Sequence, residues 1–234
     1  MPLAVQLAQI REEIATACRR ANRSDSEVAL MAVTKTHPAE VVMEAYAAGL
    51  RLFGENRVQE WQEKSTALAH LTDAEVHLIG PLQSNKAARA AELFHAIDAV
   101  NSLKLATRLD AAARALGKRL PILIEIKLSH EESKHGLAPA ELPRLLAALA
   151  PLDALIPTGL MTVPPWSENA EDARPYFREL RRLRDASLTA CPTLTQLSMG
   201  MSGDFAVAIE EGSTCVRIGS ALFGQRSYPL KEKA

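Results

Sequence analysis

LPILIEIKL, residues 120–128, runs almost without interruption through leucine and isoleucine. That is the composition of a strand covered on both faces, since a strand with one wet face would alternate apolar and polar residues. On either side lie segments of another kind, 103–116 and 139–149, rich in alanine, leucine and arginine at helical spacing. The alternation continues in both directions. Strands are expected at 28–35, 52–55, 76–80, 96–100, 120–128, 155–163, 195–200 and 215–220, and helices at 38–48, 56–68, 85–94, 103–116, 139–149, 170–188 and 205–211, with a short turn at 221–223. Strand followed by helix with short connections demands parallel pairing and right-handed crossovers, which leaves an open doubly wound sheet or a closed barrel. Eight units favour closure. The expected fold is a single (β/α)8 barrel domain of the TIM type over 1–234, with an extra amphipathic helix in 1–22 packed on it through Leu3, Leu7, Ile10, Ile14 and Ala17.

With 234 residues, 47% apolar and 24% charged, the chain has the composition of a globular protein with a sizeable core. A formal net charge of −1, with acids and bases interleaved, gives no broad basic face for nucleic acid or anionic lipid. Cys18, Cys191 and Cys215 are odd in number and widely spaced, so they read as unrelated thiols in a reducing compartment. No apolar run approaches the roughly 20 residues of a membrane span, and a cytoplasmic protein is expected.

In a barrel the strand C-termini open onto one face, where chemistry gathers. The ends read Lys35, Glu55 with Asn56, His77 to Gly80, Lys127, Met161, Ser198 to Ser202, and Arg217 to Ser220. Lys35 closes the apolar run LMAVTK. Desolvation there would lower its pKa and leave a nucleophilic amine, as Schiff-base chemistry requires, while a strand-end lysine snorkelling to water is the plainer alternative. LSMGMSGD (197–204) and VRIGSALFG (216–224) each place glycines and serines between a strand and a helix, where N–H groups and hydroxyls can converge on an anion. The last two units are where such barrels commonly hold phosphate, and the first unit adjoins the eighth in a closed ring. An amine facing a phosphate cup results.

AVTKTHPAE (32–40), FGENRVQE (53–60), HLIGPLQSNK (77–86), SKHGL (133–137), GLMTV (159–163), LSMGMSGDF (197–205) and GSTCVRIGSALFG (212–224) together resemble the pyridoxal phosphate homeostasis proteins, which have the barrel of the alanine racemase N-terminal domain. The resemblance spans nearly the whole chain in order. It implies that Lys35 carries pyridoxal 5'-phosphate (PLP) as an internal aldimine, that Ser198, Ser202, Gly219 and Ser220 match the phosphate-binding turns, and that Arg217 faces the pyridine nitrogen. Asn56, His77 and Met161 fall in motifs that line the cofactor pocket, although His77 also reads as simple strand packing. Arg57 stands where the family usually has tyrosine, and His37 where similar proteins often have a second lysine.

The implied role is a carrier or regulator of PLP in the cell, with PLP-dependent apo-enzymes as recipients, no catalytic residue, no metal and a monomeric state. A permanently charged arginine opposes protonation of the ring nitrogen and weakens the electron sink. A racemase also needs acid/base groups on both faces of the substrate carbon, and none of Tyr46, Tyr176 and Tyr228 falls at an expected strand end. The alternatives are a racemase-like enzyme and a Schiff-base aldolase using Glu55 or Glu125, although Glu125 reads more simply as balancing Lys127. Lys134, Lys231 and Lys233 are read as solvated charges.

Overall fold

Eight short strands pair in parallel, each with the next, and the last with the first. They are β1 (Ala29–Val33), β2 (Leu52–Glu55), β3 (Glu75–Leu78), β4 (Ala96–Val100), β5 (Leu120–Glu125), β6 (Leu155–Met161), β7 (Gln196–Met201) and β8 (Cys215–Ile218), and they close a barrel. Closure is direct: Met31 of β1 is in register with Arg217 of β8, while Ala32 lies opposite Phe53 of β2. The computed structural model describes residues 2–129 and 135–224.

Helices α1 (Leu3–Arg20), α2 (Ala39–Ala47), α3 (Val58–Ser65), α4 (Ala87–Leu93), α5 (Leu103–Ala115), α6 (Leu142–Leu149), α7 (Arg174–Ser187), α8 (Phe205–Glu210) and α9 (Ser220–Phe223) follow from local sequence. Ser102 caps α5 by accepting from the Leu105 amide at 3.3 Å, supplying one of the acceptors that the first helical turn lacks. α7 buries Phe177, Leu180, Leu183 and Ser187, a stripe at three- and four-residue spacing, and leaves its arginines outside. α1 buries Leu3, Leu7, Ile10, Ile14, Ala17 and Cys18 and lies across α8 and α9. No described helix is long and apolar enough to cross a membrane.

One core fills the space between barrel and helices, with Phe53, Phe94, Ile122, Leu160, Phe177 and Ile218 fully buried in it. A smaller group, Ala99, Leu123 and Met161, packs separately. The strand and helix ends differ from the sequence expectation mostly by one to three residues. The first strand stops at Val33 rather than Lys35. Thr34 still donates to the Gly54 carbonyl at 3.1 Å, and Thr36 then turns into the left-handed region at φ 67°. Lys35 therefore sits in a bend beyond the strand end. Similarly, the run 120–128 leaves the sheet after Glu125, where Leu137 folds back to donate to the Glu125 carbonyl and to accept from the Lys127 amide.

Candidate functional site

The strand C-termini surround a cavity of about 820 Å3. Lys35 beyond β1, Asn56 beyond β2, Ser202 beyond β7, and Arg217, Gly219 and Ser220 of the β8 unit all line it. The two last turns are tied together: the Ala221 amide donates to Ser202 Oγ at 3.2 Å. Within the β7 turn the Met201 amide donates to Asp204 Oδ1 at 2.6 Å. α8 and α9 have six and four residues, so hydroxyls and turn amides carry the polarity here rather than a helix dipole. Asn56 is held by close packing. A Cβ on Gly80 would lie 2.4 Å from the Asn56 carbonyl oxygen, so only glycine lets the β3 loop pass.

Arg217 is buried, and its donors go to fixed oxygens: Nη1 to the Ser198 carbonyl at 2.6 Å and Ser198 Oγ at 2.7 Å, and Nη2 to the Thr162 carbonyl at 2.8 Å. Burial pulls its pKa down, while Asp98, Asp204 and Glu125 act against that. Two of these carboxyls, Glu125 and Asp204, line the cavity, and burial pushes both upward in pKa against the attraction of Arg217. Glu125 Oε2 is buried, with no hydrogen-bond partner among the described residues. Burial is the largest influence on Glu125, and the charges of His135 and Arg217 work against it.

His77, Met161 and Ser198 are not among the cavity-lining residues. Met161 is fully buried beside Ala99 and Leu123. Ser198 accepts from Arg217 and so steadies it. His77 turns its Nδ1 to the Asp98 carboxylate at 3.1 Å. Burial works against a charged imidazole, but Asp98, helped by Glu75, outweighs it and holds the His77 pKa above the ordinary 6.5. A group whose pKa is raised on folding stabilises fully below its unfolded value and loses that contribution as the pH climbs through the folded one. The loss of urea stability caused by His77→Gln is therefore expected to be larger at about pH 6 than at about pH 9; equal losses would show that the imidazole is not charged in the folded chain.

Of the family departures noted above, Arg57 is exposed and outside the cavity, a surface charge, whereas His37 packs its ring on Phe223 of α9 at 5.0 Å. Tyr46 pairs with Asp73 and Arg51 away from the cavity, and Tyr176 does not line it. Lys134, Tyr228, Lys231 and Lys233 lie outside the described residues. The cysteines Cys18, Cys191 and Cys215 are free. Among the described residues no cluster of three or more His, Cys, Asp or Glu side chains is arranged to hold a metal. Sequence reasoning missed Asp98 and Asp204. A carboxylate in the middle of the apolar strand AIDAV was the available signal for the first; the second reads as an ordinary turn residue.

This eight-stranded closed barrel, with a lysine at the mouth of its first unit and polar turns on its last two, matches the family model of the alanine racemase N-terminal domain over residues 5–227. The chain belongs to the pyridoxal phosphate homeostasis proteins. It is 44% identical over 227 residues to the pyridoxal phosphate homeostasis protein of Aquifex aeolicus (strain VF5), covering 95% of this chain and 98% of the relative. The structure of PipY from Synechococcus elongatus PCC7942 with PLP bound superposes with a TM-score of 0.81 at 40% identity, covering 95% of this chain and all of that one. Alanine racemase from Clostridium difficile 630 shares the fold alone, at 15% identity and a TM-score of 0.69 over 98% of this chain and 58% of the racemase.

Proposed function

We propose that this chain binds PLP, holds it as a Schiff base on Lys35, and acts in the cell as a carrier or regulator of the cofactor. The observation that carries this reading is the convergence on one cavity of an amine from the first barrel unit, a guanidinium from the eighth strand, and two hydroxyl-bearing turns from the seventh and eighth units. The donor set fits the group: an amine for an aldehyde, Ser202, Gly219 and Ser220 for a phosphate, and Arg217 for a ring nitrogen. Asn56 lines the same space, while Ser198 works through Arg217. His77 and Met161 take supporting positions in this reading, with no contact to the ligand.

When bound, PLP supplies an electrophilic aldehyde and a conjugated ring that can accept electrons. Arg217 stays cationic at neutral pH and opposes a proton on the ring nitrogen, which limits that second property. Neither Tyr46 nor Tyr176 reaches the cavity to act on a substrate carbon. A carrier must meet its recipient, and Trp166, which lines the cavity and is 82% exposed, offers an aromatic surface to a recipient apo-enzyme. A monomeric, cytoplasmic protein suits that role.

The purified protein incubated with PLP and gel-filtered is expected to be yellow and to show no substantial racemisation or cleavage of amino acids. A colourless protein would refute the cofactor assignment, and robust turnover abolished by Lys35→Ala would refute the non-catalytic one.

A further inference from the structure

The bend that carries Lys35 is gripped from outside the barrel by a residue that does not line the cavity. Lys64 of α3 is buried, its side chain 8% exposed. Its ammonium donates to the Thr34 carbonyl at 3.0 Å, to Glu55 Oε1 at 2.8 Å and to Glu60 Oε1 at 3.0 Å, which uses all three protons. The same two carboxylates hold the bend a second time. Thr34 Oγ1 donates to Glu55 Oε1 at 2.7 Å, and the Thr36 amide donates to Glu60 Oε1. Both chain neighbours of Lys35 are thus bound to one ammonium, Thr34 directly and Thr36 through Glu60.

Thr36 is where this grip acts. Its φ of 67° is a left-handed conformation, uncommon for any residue with a side chain and costly for a β-branched one. Such strain persists only where the surroundings over-determine it. Without the grip, threonine would relax towards the extended region and β1 would run on towards Lys35, as the sequence itself suggests. The amine would then leave by a different path.

We propose that Lys64 is a positioning residue for Lys35, its ammonium holding residues 34–36 in the left-handed bend that aims the Lys35 amine into the cavity. The inference rests on Lys35 being the PLP-bearing lysine. A purely structural role, fastening α3 to the barrel, is the competing account, and charge balance separates the two. Lys64→Met alone strands the Glu55 carboxyl, whose pKa burial already pushes up against the pull of Lys64. Lys64→Met combined with Glu55→Met removes one charge of each sign and keeps the net charge of the cluster, in which Glu60 remains, but supplies no donor to the Thr34 carbonyl.

Wild type, Lys64→Met and the double variant are compared by thermal melting, by PLP titration at the visible absorbance of the Schiff base, and by the pH profile of that absorbance. The double variant is expected to recover most of any melting loss of Lys64→Met, yet to bind PLP about tenfold or more weakly with a displaced pH profile, since backbone strain of this kind corresponds to about that factor. Affinity and pH profile equal to wild type, or both recovering along with the melting temperature, would overturn the proposal. A colourless wild type would instead sink the Lys35 assignment and this inference with it.

Discussion

Lys35→Ala is expected to abolish the visible absorbance of the PLP-loaded protein and to weaken retention of the cofactor by about 100-fold or more, roughly 2.7 kcal/mol. The lysine contributes the covalent bond, whereas the turns at Ser202 and Ser220 and the Arg217 guanidinium lie on other units and remain in place. Residual binding through the phosphate should therefore survive, visible as competition by inorganic phosphate. The fold should be little affected: Lys35 lies in a bend beyond the strand end, and substitutions outside the core usually cost less than about 1 kcal/mol. Absorbance and dialysis retention read the first effect, and the melting temperature the second. Lys127→Ala, which removes another cavity lysine, should leave the chromophore intact.

Arg217→Met is expected to damage fold and site together. The guanidinium joins β8 to the Ser198 carbonyl and hydroxyl of β7 and to the Thr162 carbonyl just after β6. Ser198 and Thr162 are buried, so methionine leaves the Thr162 carbonyl and the Ser198 hydroxyl without the guanidinium donor where water does not replace it, while the Ser198 carbonyl keeps the Thr162 amide at 3.3 Å. Each buried unsatisfied group costs about 1–3 kcal/mol. A total near 4 kcal/mol corresponds to a fall of roughly 10 °C in Tm for a domain of this size. Glu125 and Asp204 would also lose the cation that opposes their burial, so their pKa values should rise further. Calorimetry on the ligand-free variant tests the first part; an unchanged Tm would mean that water or rearrangement satisfies the stranded oxygens.

The barrel was legible because its information is local. Apolar β-branched runs and helical stripes mark the eight units, and even LFGE, at four residues too short to argue alone, forms β2 with the expected ends, Leu52–Glu55. The amine and the glycine-serine turns were legible for the same reason, since each announces itself within a few residues of a strand end. What stayed hidden depends on partners far along the chain. Lys64 looks like half of a surface pair with Glu60 four residues earlier, and only the docking of α3 against the β1 bend buries it. His77 reads as a pocket residue or as packing, and the deciding Asp98 lies on the neighbouring strand. The overshoot of the first strand to Lys35 has a similar origin, because apolar composition predicts extension while the Lys64 network enforces a bend. Family resemblance joined Arg217 to the site, but the three oxygens that fix it come from the fold.

The central claim is that one amine, that of Lys35, reaches the aldehyde of a PLP molecule seated in this cavity. Borohydride reduction of the PLP-loaded protein, followed by peptide mapping, tests it most directly. The pyridoxyl group is expected on the peptide containing Lys35, with no comparable label on Lys127 or Lys64. Label concentrated on another lysine, or no reducible adduct at saturating PLP, would contradict the account.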